Sequence, residues 1–407
     1  MIICIFVCSI QFVFIFQLFS NTSSIEKSIL LPSFYNSNTI LNCTKKLICP
    51  RNITHFSIHI DKNIQYPNVS YIRSPIFLNI LDIIRNSSYY TNNSSLACLH
   101  IAPVDTIDRD RRSKNGYYTY FIEQHLKFFH EWSDPNKIHL IFNHYTGSSL
   151  DFFFLLLYLS FYENSITKLF ISKKKNLSTI NFLLGTWPSY QRTLDFNLPS
   201  KYILASTSFT YTNYNCSSHI TFPLFHTNYS SNLTKNISFK SRKILLSFKG
   251  KSYEDVQHHR TFFHHLNNNY DIIIKYTNNN NSYDQYEYIE LFQQSYFCLV
   301  PSGRRLYTYR FLESLQYGCI PVITTNNNEL LILPFSEIIN WSNIIIIYLN
   351  SSLSILPYYL KNINIKQRIK MQQECYNIWI KYFSSISRII LTLLDILNDR
   401  FISSSSF

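Results

Sequence analysis

Between Ser241 and Leu349, short apolar runs alternate with segments at helical spacing, and this alternation constrains the fold more than any other feature of the chain. Lys243–Phe248, Tyr270–Lys275, Tyr296–Val300, Ile320–Thr324 and Ile344–Leu349 read as strands. Asp255–Asn267, Tyr286–Gln294 and Thr308–Tyr317 read as the helices between them. Strand and helix in this order build a Rossmann-like lobe around a parallel sheet. An earlier series is less regular. Ser74–Arg85 and Tyr117–Trp132 have helical spacing, and Leu96–Val104 and Ile138–Phe142 read as buried strands. Lys201–Ser208 and His219–Phe225 read as strands or strand edges closing the first lobe. Ile365–Arg400 reads as helical throughout. The expectation is an α/β chain with an N-terminal lobe over 41–240, a C-terminal lobe over 241–401 and a cleft between them. Ligands of doubly wound sheets bind beyond the carboxyl ends of strands, so the loops after 96–104, 243–248 and 296–300 should meet at one site.

The 407 residues are enough for two such cores, and 46% hydrophobic against 15% charged residues excludes a disordered chain. Asn-rich runs such as Asn278–Asn281 follow the bias of AT-rich coding and are discounted. The net charge of +13 suits a phosphate, a polyanionic sugar chain or a membrane face, or reflects the same coding bias. No basic run interleaved with aromatics forms a nucleic-acid module, so nucleic acid is not expected as a partner.

Met1–Phe19 carries no charged side chain. As a helix it would extend roughly 28 Å, near the thickness of a bilayer core. It reads as a signal anchor in preference to a cleaved signal, with residues 20–40 as a stem and the body in the secretory lumen. The 15 Asn-x-Ser/Thr sequons agree with that setting. Of nine cysteines, Cys4 and Cys8 lie in the apolar segment, and the other seven form no CxxC pair, which argues against zinc and for disulfides.

The strongest constellation is Phe297–Ile323, FCLVPSGRRLYTYRFLESLQYGCIPVI. A strand leads into a Pro-Ser-Gly turn, then Arg304 and Arg305, then a helix bearing Arg310 and Glu313. Guanidinium groups neutralise a departing nucleoside diphosphate without a metal, and helix amides favour phosphate. Glu313 lies on the same helical face as Arg310 and suits a ribose diol. By spacing alone, the same residues also read as a glycine turn, two solvated arginines and an Arg–Glu helix pair.

The segment resembles the signature of the exostosin family, the polymerases of heparan sulfate. The likeness continues in Leu333–Trp341 (LPFSEIINW) and Glu374–Arg400, and upstream in Ala97–Arg109, His139–Gly147, Thr186–Tyr190 and Leu246–Gly250. GRRL followed by YRFLES is closest to the exostosin-one type, whose domain of this kind adds glucuronate. The resemblance implies a GT-B fold and inverting transfer from UDP-glucuronate to an anionic glycosaminoglycan chain ending in N-acetylglucosamine. It implies no metal and no cofactor beyond the donor, a Golgi or ER membrane setting as a single-pass type II protein, and work in a hetero-oligomer of the family. Arg304, Arg305, Arg310 and Glu313 take the donor-site positions, with Arg260, Tyr286 and Tyr288 as further candidates; the tyrosines read equally as core. Asp105, Asp108 and Asp110, after a first-lobe strand, are candidates for the base on the acceptor hydroxyl. Asp108-Arg109-Asp110 is formally a DxD metal motif, and loop solvation also accounts for all three. Cys298–Cys319 and Cys49–Cys98 are the implied disulfides, with buried thiols the alternative at 298 and 319.

The chain departs from the family in four places. Ser302 stands where the family has an arginine. The second transferase domain of the larger members does not follow, so polymerisation by this polypeptide alone is not expected, and a non-catalytic partner subunit is the rival reading. Asn278–Ser282 replaces a cysteine-bearing loop. Ser148–Gly185 interrupts a family stretch, since joining Gly147 to Thr186 gives HYTGTWPSY. These residues read as an unspliced intron, with a genuine insertion as the alternative.

Overall fold

The computed structural model describes residues 47–49, 55–61, 74–107, 126, 129–144, 199–207, 209–211, 213–226, 242–251, 259–277, 285–302, 307–325 and 331–402. Two five-stranded sheets, every pairing parallel, form its frame. The first contains β2 (Ile58–Ile60), β3 (Leu99–Ile101), β4 (His139–Asn143), β5 (Tyr202–Ser206) and β6 (His219–Thr221), side by side in chain order. The second contains β7 (Ile244–Lys251), β8 (Ile272–Thr277), β9 (Ser295–Pro301), β10 (Ile320–Thr325) and β11 (Ile346–Leu349), in the order β11-β10-β9-β7-β8. Its strand order reverses between β7 and β9, the crevice where doubly wound sheets hold ligands. Two parallel α/β sheets in one chain are the GT-B architecture.

The local chemistry explains the elements. Helix α1 (Pro75–Arg85) starts at Ser74, whose Oγ accepts from the Phe77 amide at 3.3 Å, with proline in the first turn where no amide partner is needed. Ile76, Phe77, Ile80, Leu81 and Ile84 form its buried stripe against the first sheet. In the second lobe, β9 and β10 are buried at every position, as expected of strands covered on both faces. Helices α2 (His259–Phe262), α3 (Gln285–Gln294) and α4 (Arg310–Gln316) connect the strands. Both implied disulfides are present. Cys298–Cys319 joins β9 to the residue before β10, and Cys49–Cys98 joins the chain after β1 (Leu47–Ile48) to the start of β3.

The C-terminal region departs from the expected continuous helix. After α5 (Leu356–Asn362) and α6 (Ile365–Ile378), a π-helical stretch, Trp379–Phe383, precedes α7 (Ile386–Arg400). The wider turn points both Trp379 and Phe383 inward, and each is fully buried. Phe383 stacks on Phe335 at 5.5 Å and lies 6.1 Å from Trp341, so the LPFSEIINW segment packs on the C-terminal helices. Phe335 adopts φ 53, a conformation costly for a bulky residue and held by this stack. Strand β2, absent from the sequence reading, is only three residues long, too short for a pattern to stand out. The expected helix 117–132 and the interrupting segment 148–185 lie wholly or mostly outside the described residues. So does the apolar N-terminal segment, and among the described residues no helix is long and apolar enough to cross a membrane.

Helix α7 returns to the first lobe. It packs on α1, and the Tyr89 hydroxyl donates to Asp395 at 2.8 Å. After it comes β12 (Phe401–Ile402), parallel to β1. Segment 331–337 also crosses between lobes: Ile332 donates to the Phe209 carbonyl at 2.8 Å, and Thr221 Oγ1 to the Leu333 carbonyl at 3.0 Å. Arg400 pairs with Glu337, and its Nη2 reaches the Tyr214 hydroxyl at 3.2 Å.

His219 on β6 gives this lobe a defined acid sensitivity. Its ring stacks on Phe209 at 4.4 Å, its Nδ1 accepts from the Asn215 amide, and Tyr202, Tyr214 and Arg400 surround it. Burial, reinforced by Arg400, lowers its pKa to about 4. The folded state therefore holds His219 neutral while the unfolded chain takes up a proton below about 6.5. Its contribution to stability is fully present above that value and is lost as pH falls toward 4. Urea titrations across this range should show less pH dependence in a His219→Gln variant than in the parent.

Candidate functional site

In the signature segment β9 delivers Pro301, with Ser302 next, and α4 begins at Arg310. Arg304 and Arg305 lie outside the described residues, as do Asp108 and Asp110. The positions that bracket the two arginines are defined. The Ser302 carbonyl accepts from Arg260 Nε at 3.1 Å, and Arg260 Nη1 donates to the Lys251 carbonyl at 2.9 Å. Arg260 thus joins the loop after β7 to the loop after β9 and lies 5.6 Å from the Phe248 ring. This is a loop-positioning role, with the guanidinium engaged by backbone carbonyls. At the other end, Tyr307 is buried and meets Phe311 edge-on at 5.6 Å.

Arg310 is built into the frame of the crevice. It is buried, donates from Nε to the Leu299 carbonyl at 3.0 Å and from Nη1 to the Lys249 carbonyl, and sits about 5 Å from the rings of Phe248, Tyr288 and Phe292. Carbonyls near the ends of β7 and β9 would otherwise lack these partners, so the guanidinium ties the two strands at the crevice. Through Nε and Nη1 the residue has a scaffold role.

Glu313, one helical turn on, faces outward from that scaffold. The Tyr288 hydroxyl donates to its Oε2 at 2.5 Å, and His226 Nε2, from the chain just past β6, lies 3.6 Å from Oε1. His226 stacks on Tyr309 with centroids 3.7 Å apart. The carboxylate therefore stands where the C-terminal ends of both sheets meet, with one oxygen oriented by each lobe. Tyr286 is exposed on the first turn of α3, whereas Tyr288 serves as the hydroxyl donor to Glu313 and packs on Phe292. The two tyrosines thus have different duties.

Asp105 leaves the candidate set. It is buried; its Oδ2 accepts from the Ser74 amide at 2.7 Å and the Ser74 hydroxyl at 2.5 Å, and its Oδ1 accepts from the Ile107 amide at 2.9 Å. A carboxylate committed to three donors at a helix N-terminus is an anchor, poorly suited to take a proton from a sugar hydroxyl.

The sequence reading missed Lys249, His226 and Tyr309. Lys249 is a buried cation near the end of β7, paired with Glu287, which also binds Lys275. Both lysines hold the Glu287 carboxyl below the usual carboxylate range. A lysine inside the apolar run KILLSFK was the available signal, because burial demands a counter-charge. His226 and Tyr309 had none, since their meeting joins residues from different lobes.

The comparisons with known proteins converge on this segment. The sequence model of the Exostosin GT47 domain matches residues 179–362, which include β5 through β11 and the whole Arg310–Glu313 arrangement. Exostosin-1c of Danio rerio and Exostosin-1 of Bos taurus are each 30% identical to the chain over 351 residues, 80% of this chain and 41% of theirs. Exostosin-1b of Danio rerio is 29% identical over 393 residues, 90% of this chain and 46% of its own. The chain belongs to the exostosin family. It spans less than half the length of these exostosin relatives. Among solved structures, the glycosyltransferase WaaG of lipopolysaccharide biosynthesis covers 84% of this chain and 99% of its own at 11% identity. Its TM-score of 0.35 leaves the fold assignment to rest on the two sheets themselves.

Arg310→Lys tests the scaffold assignment, because an ammonium on a flexible stem cannot serve both carbonyls. The substitution should destabilise the protein by about 2–4 kcal/mol in urea titrations. Unchanged stability would return Arg310 to the donor-binding set.

Proposed function

We propose that the chain is an inverting glycosyltransferase that moves glucuronate from UDP-glucuronate to a heparan sulfate-type acceptor ending in N-acetylglucosamine. The observation that carries the reading is the Glu313 carboxylate, held by Tyr288 and facing His226 where the two sheets' C-terminal ends meet. A carboxylate there suits the ribose hydroxyls of UDP, and the exposed Tyr286 ring suits stacking on uracil. Arg304 and Arg305, between Ser302 and Tyr307 in the sequence, would neutralise the leaving diphosphate. In the reaction the acceptor hydroxyl attacks the anomeric carbon, the bond to the phosphate oxygen breaks, and UDP departs with the electron pair. Asp108 or Asp110 would take the hydroxyl proton, and the guanidinium charge makes a metal unnecessary for the step. The family likeness to proteins named Exostosin-1 supports the substrate class. The apolar N-terminus and the sequons support a single-pass type II protein of the Golgi or ER membrane with a lumenal body, working beside another family member.

A second reading, a non-catalytic partner subunit, is favoured by Ser302 in place of the family arginine and by the internal engagement of Arg310. Thermal melts with UDP separate the two. At 100 times the dissociation constant, UDP should stabilise the parent by about 2.7 kcal/mol, and Arg305→Ala and Glu313→Ala should abolish the shift. A radiolabelled panel of UDP-sugars should then show transfer from UDP-glucuronate alone. No UDP shift in the parent would select the partner reading.

A further inference from the structure

Away from the interlobe crevice, the first sheet carries a row of three histidines. His59 on β2, His100 on β3 and His139 on β4 are direct register neighbours, His59 with His100 and His100 with His139, with ring centroids 5.8 and 6.1 Å apart. Ile58, Ile60, Leu99 and Ile101 share a core with α1, so strand alternation sets His59 and His100 on the opposite face. His139 opens β4, whereas the crevice loop leaves that strand after Asn143, about 13 Å further along it.

Asp61, immediately after β2, points into this row. Its side chain is 1% exposed; Oδ1 lies 3.1 Å from His100 Nδ1 and 3.9 Å from His59 Nε2, Oδ2 meets no N–H donor, and burial beside the Glu131 carboxyl pushes Asp61 up to about 8. His59 Nδ1 lies 2.9 Å from the Thr91 carbonyl. A carbonyl only accepts, so the ring proton sits on Nδ1 and the Nε2 lone pair faces the Asp61 carboxyl. Glu131, in the turn His130–Ser133 ahead of β4, completes the group: an oxygen of Glu131, an oxygen of Asp61 and a His100 nitrogen all lie within 4.8 Å of one another. The nearby cation is Lys137, 2.7 Å from Glu131 Oε2, and that pair sits at the outer rim with Glu131 44% exposed.

A His100 ring nitrogen and the carboxyl groups of Asp61 and Glu131 thus converge, with His59 Nε2 beside Asp61 and one buried carboxyl oxygen without a donor, an arrangement a cation resolves. Tetrahedral zinc with ligands about 2.1 Å away has ligand-to-ligand edges of about 3.4 Å, which the separations at Asp61 bracket. A mixed nitrogen and oxygen set suits zinc better than calcium or magnesium, and a carbonyl behind the far nitrogen of a ligand histidine is the usual orienting contact. We propose that His59, Asp61, His100 and Glu131 form a structural zinc site that fastens β2 and β3 to the turn before β4. No cysteine takes part, which is why a search for paired cysteines does not find it. The site is independent of sugar transfer.

The test uses the purified full chain, stripped with EDTA, dialysed and given zinc chloride. Metal analysis should find one zinc retained per chain, with a melting temperature several degrees above the EDTA-treated sample. Asp61→Asn, which keeps the shape, and Glu131→Gln, which alters a partly exposed turn, should each weaken zinc binding by about 100-fold. Lys137→Met should strengthen it by removing the competing cation. The parent's response to UDP should be the same with and without zinc. Absence of retained zinc in the parent, or equal retention by the parent, Asp61→Asn and Glu131→Gln, overturns the site.

Discussion

The buried guanidinium of Arg310 is the interaction on which the second lobe's crevice depends. Strands β7 and β9 pair as far as Ser247 and Cys298, and the carbonyls of Lys249 and Leu299 lie beyond that last paired position. By donating to Leu299 and Lys249, Arg310 fixes the ends of β9 and β7 relative to each other. Three aromatic rings exclude water around it, which strengthens these bonds and raises the cost of losing them. Helix α4 starts at this residue, so the same contact sets where Glu313 points.

The two lobes are joined by more than the linker between them. Helix α7 belongs in sequence to the second half but packs on α1 of the first, and β12 pairs with the strand nearest the N-terminal end of the described chain. Segment 331–337 adds backbone bonds to the ends of the first sheet, with the strained Phe335 at its centre. These contacts hold His226 over Tyr309 and Glu313, so a ribose arriving at the carboxylate would meet residues of both lobes.

Much of the fold was legible because local physics and tertiary packing agree over β7 to β11: continuous apolar runs become strands, fully buried at β9 and β10, and the segments between them become helices. The helical spacing of Ser74–Arg85 announced α1 in the same way. The failures share a cause as well. Strand β2 is too short to show a period, and the π-helical turn at 379–383 arises from packing Trp379 and Phe383 into one core, which a continuous 3.6-residue pattern does not reveal. For the site, the sequence supplied the residue types, but not their duties. Arg310 and Asp105 carry the charges expected of ligand-binding and catalytic groups, yet burial gave both to the scaffold.

By itself, the sequence determined the two α/β series and the signature segment that bears Arg304 and Arg305, because each is written in contiguous residues and their spacing, and the likeness of that segment to the exostosin family implied both disulfide pairings. Tertiary structure alone decided which charges face outward, how His226 meets Glu313, and the gathering of His59, Asp61, His100 and Glu131 on one face. Those outcomes depend on desolvation and on register between strands distant in the chain, and neither quantity exists until the sheets have formed.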